Sequence, residues 1–75
     1  MVRTKSVEET TRRYAQNSLR AYLEGAKTLN WIIGVIRSSG VRGNRLVDVF
    51  DRLRGYGDSV RYLEAKRACE DQGWM

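Results

Sequence analysis

Seventy-five residues carrying 14 Lys/Arg against nine Asp/Glu, with no histidine, no proline and one cysteine, make a single small basic domain of net charge +5. A chain this short buries only about 60% of its unfolded surface, so its core is marginal unless a second subunit or a partner adds to it. Cys69 cannot form an internal disulfide, and without histidine no ordinary zinc cluster can be assembled, so helix packing, self-association or binding must supply the stability.

The lone thiol suggests a reducing setting, and the opening Met-Val-Arg-Thr-Lys-Ser lacks the apolar stretch of a signal peptide. The apolar run at 29–36 is less than half of the ~20 residues that a membrane span needs. A cytoplasmic or otherwise intracellular protein, with no cofactor, no metal and no integral membrane association, is therefore expected. Charge is unevenly placed: residues 1–45 sum to +6 and residues 46–75 to −1. A basic front half suggests an anionic partner for that half.

Residues 1–5 read as a flexible basic tail, in which Arg3 and Lys5 would form a mobile arm, and residues 6–75 as one helical domain. Ser6 with Glu9 is a capping-box pattern that marks a helix start. From there Ala15, Leu19, Tyr22, Ala26, Leu29, Ile33 and Ile36 recur at alternating spacings of four and three, predicting one long amphipathic helix to about Arg37 or Ser38. Gly25 and Gly34 lie inside it at a cost of ~1 kcal/mol each, and the sequence leaves open whether the helix runs straight through Gly25 or is broken or kinked there. The β-branched Ile32, Ile33, Val35 and Ile36 also suit a short strand, but the unbroken spacing favours helix. The seam is either the contact with later helices or a dimer seam, since four-three spacing is what a coiled coil requires.

Arg13, Arg20 and Lys27 fall seven residues apart on the opposite side and would span about 21 Å of straight helix, enough to follow several phosphates. Glu24 interrupts this stripe and is spaced to pair with Arg20 or Lys27.

A turn at Ser38-Ser39-Gly40 and Val41-Arg42-Gly43-Asn44 leads into a second helix near Asn44, with Leu46, Val49, Phe50 and Leu53 on one face. Gly40 at the turn, Val41 directly after it, and Leu46 and Val49 five and eight positions beyond Val41 give a spacing that resembles the second half of a helix-turn-helix of the kind used by bacterial repressors. The pattern departs from that motif at Ile36, where a small residue is usual, at Ser39, and at Gly43 inside the expected recognition helix. The resemblance implies DNA reading by Arg42, Asn44 and Arg45, supported by Arg37 and Arg52. Without the motif, the same basic, hydroxyl-rich turn ahead of a helix N-terminus suits phosphate oxygens.

Arg54-Gly55-Tyr56-Gly57-Asp58 forms the second break. Asp58 or Ser59 caps a third helix whose less polar positions are Val60, Tyr62, Leu63, Ala65 and Cys69. Gly73-Trp74 reads as a glycine-terminated helix end folding back on its last turn. Phe50 and Trp31 belong to the core, while Tyr56 and Trp74 are candidate contact residues.

The expected architecture is thus an all-α domain of three helices, the first long and two shorter ones, with helix-turn-helix-like character. The expected function is a nucleic-acid-binding accessory protein or regulator, as a homodimer. The alternative is a protein-interaction module (adaptor, assembly subunit or inhibitor) using Leu19, Tyr22, Leu29, Tyr56 and Trp74. No nucleophile–base pair or carboxylate cluster points to an enzyme.

Overall fold

A computed structural model describes residues 4–75, so the expected arm at Arg3 and most of the tail lie outside the described residues. Four α-helices are present: α1 (Thr4–Leu23), α2 (Leu29–Ser39), α3 (Asn44–Arg52) and α4 (Val60–Asp71), with a 3-10 turn at Arg54–Tyr56 between the last two. No strand occurs among the described residues, so the β-branched stretch at 32–36 is helical. The backbone is already helical at Thr4, two residues before the expected start at Ser6.

The expected single long helix is two helices. Gly25 adopts a left-handed backbone (φ 92°), which lets the Ala26 N–H reach back to the Ala21 carbonyl at 2.9 Å and the Gly25 N–H to Tyr22 at 3.0 Å. This pair of bonds is the Schellman arrangement, which satisfies carbonyls left open at a helix end. Three residues after Gly25, Thr28 is extended and its Oγ1 accepts from the Trp31 N–H at 3.1 Å, opening α2. The apolar seam does not survive the break. Ala26 is exposed in the connecting loop, Leu29 and Ile33 are half-buried, and Ile32, off the expected seam, is fully buried beside Ile36.

α1 lies across both α2 and α3, and α4 packs on α2 and reaches α1. Ala15, Leu19 and Tyr22 of α1 meet Ile32 and Ile36 of α2, Leu46, Val49 and Phe50 of α3, and Tyr62, Ala65 and Cys69 of α4 in one core. Phe50 and Tyr62 stack edge to face, with centroids 5.5 Å apart and planes at 86°, a geometry that suits the ring quadrupoles. The Tyr62 hydroxyl donates to the Phe50 carbonyl at 3.1 Å, so the polar tip of a buried ring is satisfied.

Ser59 caps α4 by accepting from the Arg61 N–H. Val60 and Leu63, two of the less polar positions of that helix, point outward at 67% and 56% exposure. The α4 end repeats the α1 end: Trp74 N–H reaches Cys69, Gly73 N–H reaches Glu70, and Gly73 is left-handed at φ 79°. No helix among the described residues is long and apolar enough to cross a membrane.

Candidate nucleic-acid interface

The basic turn is built by α2 stopping abruptly. Ser39 Oγ donates to the Ile36 carbonyl at 2.8 Å and accepts from the Val41 N–H at 3.1 Å. Gly40 turns left-handed (φ 75°), and Val41 plunges into the core. Leu46 and Val49 are fully buried, so each of the four positions that set the turn spacing has a packing or conformational reason for its residue type. Gly43 does not loosen α3. It precedes the helix with φ 60° and ψ −133°, a region that suits glycine, and its N–H donates to the Trp74 carbonyl at 2.6 Å.

Arg42 turns inward along this turn. Nη1 donates to the Ile36 carbonyl at 3.1 Å and the Val41 carbonyl at 2.8 Å, and Nη2 to the Arg37 carbonyl at 3.3 Å. Its guanidinium lies 4.4 Å from the Trp74 ring centre, and that of Arg37 lies 5.5 Å from the same ring. Arg42 therefore caps the α2 C-terminus, where its charge suits the helix dipole, and closes the C-terminal segment over it. Trp74, 9% exposed, serves the same contact from the other side.

Asn44 and Arg45 are exposed at the start of α3, which has no side-chain cap. The outward face beyond them is mixed. Arg52 Nε donates to Asp48 at 2.9 Å, and Arg12 reaches the same carboxylate oxygen at 3.3 Å while binding Glu9 at 2.6 Å. Asp51 is exposed on the same helix. Arg45 and Arg52 against Asp48 and Asp51 leave this face with no net charge.

The expected basic stripe is only partly assembled. Arg13 lies 3.5 Å from Glu9, and Arg20 is exposed in the last turn of α1. Lys27 is not on that helix: it sits in the connecting loop with its Nζ 5.1 Å from the Trp31 ring centre. The Glu24 carboxylate accepts from the Tyr56 hydroxyl at 2.8 Å, a bond that holds this phenol above its ordinary pKa.

Of the expected protein-contact residues, Leu19 and Tyr22 are in the core of the single chain and Leu29 and Tyr56 are half-buried. Arg61, which the sequence pattern does not single out, clamps the α1–α2 connection. A groove of about 400 Å³, formed by Thr10, Thr11, Tyr14, Ser38 and Ser39, also escapes the pattern, because it exists only where α2 packs back against α1. Tyr14, 55% exposed, was its only visible signal: an aromatic off the seam. Among the described residues no cluster of three carboxylate or thiol groups could hold a metal ion. No family model matches the chain, and neither a curated protein nor a solved structure matches it.

Proposed function

We propose that the chain is a small basic nucleic-acid-binding accessory protein or regulator that meets the phosphate backbone at the α2–α3 turn. The observation that carries this reading is the α3 N-terminus, uncapped by any side chain, with Asn44 and Arg45 exposed on its first turn. The Leu46 N–H already bonds the Gly43 carbonyl at 3.0 Å. The first two N–H groups of a helix, here those of Asn44 and Arg45, have no acceptor within it, and the dipole adds partial positive charge, so the site suits a phosphate oxygen. Arg42 and Arg37 lie behind it as fixed positive charge, held against Trp74. The neutral outer face of α3 argues for backbone contact at the helix start over base reading along its length. Arg20 and Arg13 add diffuse attraction that salt screens.

The protein-interaction reading is weaker for the seam that first suggested it, because Leu19 and Tyr22 are internal. Fluorescence anisotropy of labelled duplex DNA and of single-stranded RNA, at low and near-physiological salt, separates the two. Nucleic-acid binding should weaken steeply with salt, and Arg45→Ala should reduce both affinity and the salt slope, the latter by about 1. Absence of binding at low salt to either probe would end this reading.

A further inference from the structure

α2 is apolar nearly all round, yet the chain fully covers only Ile32 and Ile36 of it. Leu29, Trp31, Ile33 and Val35 stay half-buried at the edge of the core. Two of them, Leu29 and Ile33, line a groove of about 490 Å³ between α2 and α4, together with Ala68 of α4. The same lining carries one cation, Arg37, and one anion, Asp71, with Asn30 and Gln72 as neutral donors and acceptors.

Each of these charges sits at a helix C-terminus. Arg37 is well placed in the last turn of α2, where a cation suits the negative end of the dipole. Asp71 is the opposite case: α4 ends on Glu70-Asp71 with no basic residue in its last turn. That end carries two acids and the dipole's own negative charge, so a cation brought from outside would relieve it.

We propose that this groove is the interface of a homodimer, in which two copies pack their α2–α4 grooves face to face about a two-fold axis. A two-fold interface joins the same patch on both copies, so that patch must complement itself. A half-apolar, half-polar lining with one positive and one negative residue does so. Leu29 and Ile33 meet their counterparts, and Arg37 pairs with the partner's Asp71 on both sides of the axis. The Trp74 ring behind Arg37 limits the freedom its side chain would lose on pairing. The proposal shares Arg37 with the nucleic-acid reading, but its test uses no nucleic acid, so the two can fail separately.

Sedimentation equilibrium of the full chain over a range of concentrations should show a monomer–dimer equilibrium. Arg37→Asp opposes two carboxylates across the axis, and Asp71→Arg opposes two guanidiniums. Each should weaken dimerisation at least about tenfold, since like charges in contact penalise association. An equimolar mixture of the two variants places Asp opposite Arg at both pair positions and should restore the dimer as a heterodimer. That recovery also shows that both variants fold. A wild-type chain still monomeric at about 100 μM would overturn the proposal. So would a dimer that is indifferent to either reversal, or variants that stay apart when mixed although circular dichroism shows them helical.

Discussion

Tyr22 and Arg61, 39 residues apart, bind each other in both directions. The Tyr22 hydroxyl donates to the Arg61 carbonyl at 3.1 Å, and Arg61 Nη1 donates to the Tyr22 carbonyl at 2.8 Å. The same nitrogen reaches the Lys27 carbonyl at 2.8 Å, and the guanidinium carbon lies 4.7 Å from the Tyr22 ring centre. One side chain of α4 thus fastens the end of α1 and the loop that leads to α2. This loop is the point where the first helix breaks, and Arg61 satisfies carbonyls on either side of it.

Arg61→Ala should therefore destabilise the chain by about 2 kcal/mol, the scale of charge-assisted hydrogen bonds to two carbonyls plus a partly buried ring contact. Tyr22→Phe, which keeps the ring and drops only the hydroxyl bond, should cost about 1 kcal/mol. Arg61→Lys should recover little, because an ammonium on a flexible stem does not reproduce the planar stack. Urea denaturation of the three variants measures this, and an Arg61→Ala effect below that of Tyr22→Phe would remove the clamp from the account.

The glycines should split by backbone conformation. Gly34 lies inside α2 with ordinary helical geometry and nothing within 4 Å of an added Cβ, so Gly34→Ala should stabilise by about 0.5–1 kcal/mol. Gly25 and Gly40 also have open space, but their φ values of 92° and 75° strain any L side chain. Gly25→Ala and Gly40→Ala should each destabilise by about 1 kcal/mol, the cost of a left-handed non-glycine residue. Thermal melts of the three alanine variants should fall on opposite sides of the wild type.

The contrasting backbones of Gly25 and Gly34 also bear on what the sequence made legible. The all-α class, the α3 face of Leu46, Val49 and Phe50, and the glycine stops at Gly40 and Gly73 follow from local periodicity and local turn chemistry. The break after Leu23 was marked by Gly25 and by Thr28 three residues before Trp31. A four-three spacing ran through both only because Ala26 happened to fall in register. Exposed Ala26 and buried Ile32 show that a short apolar period does not distinguish one helix from two whose faces nearly align. The inward turn of Arg42 was legible only in part. Its hydrogen bonds go to carbonyls within six residues, as a cation at a helix C-terminus allows. The Trp74 ring that covers it is 32 positions away, and nothing local to either residue specifies that contact.

That contact separates two kinds of arginine at the turn. Trp74→Ala removes a ring that is 9% exposed and stacked by Arg42 and Arg37, and should cost about 3 kcal/mol. For a chain of this size, with total stability of about 4–11 kcal/mol, that is a large share. Arg42→Ala should lower stability and nucleic-acid affinity together, because it uncaps α2 as well as removing charge. Arg45→Ala should lower affinity at a stability cost below about 1 kcal/mol, the range for an interaction made by an exposed side chain. Paired melts and anisotropy titrations decide it: equal destabilisation by Arg42→Ala and Arg45→Ala would contradict the distinction.

Cys69 gives the alkaline limb of stability a specific shape. The residue is fully buried, and burial pushes its thiol up to about 11 from an ordinary 9.0, with Arg42 acting weakly in the opposite direction. The unfolded chain loses this proton near the ordinary value while the folded chain holds it, so between these pH values the unfolded state binds fewer protons. The thiol's contribution is therefore complete below about pH 9 and is lost progressively as pH rises towards about 11. Tyr22 and Tyr62 are raised in the same sense, chiefly by burial, and their share is lost above their ordinary value of 10.0. Cys69→Ala should be weaker than the wild type at neutral pH by about 1–2 kcal/mol for the vacated volume. That gap should close as pH passes from about 8 to about 10.5, because only the wild type has a thiol to ionise on unfolding. Native Cys69 should also resist a thiol reagent at about pH 8 until urea unfolds the chain, since the thiolate is the reactive form. Parallel urea midpoints for the two proteins across that pH range, or prompt labelling of the native thiol, would mean that Cys69 is not held in the core as described.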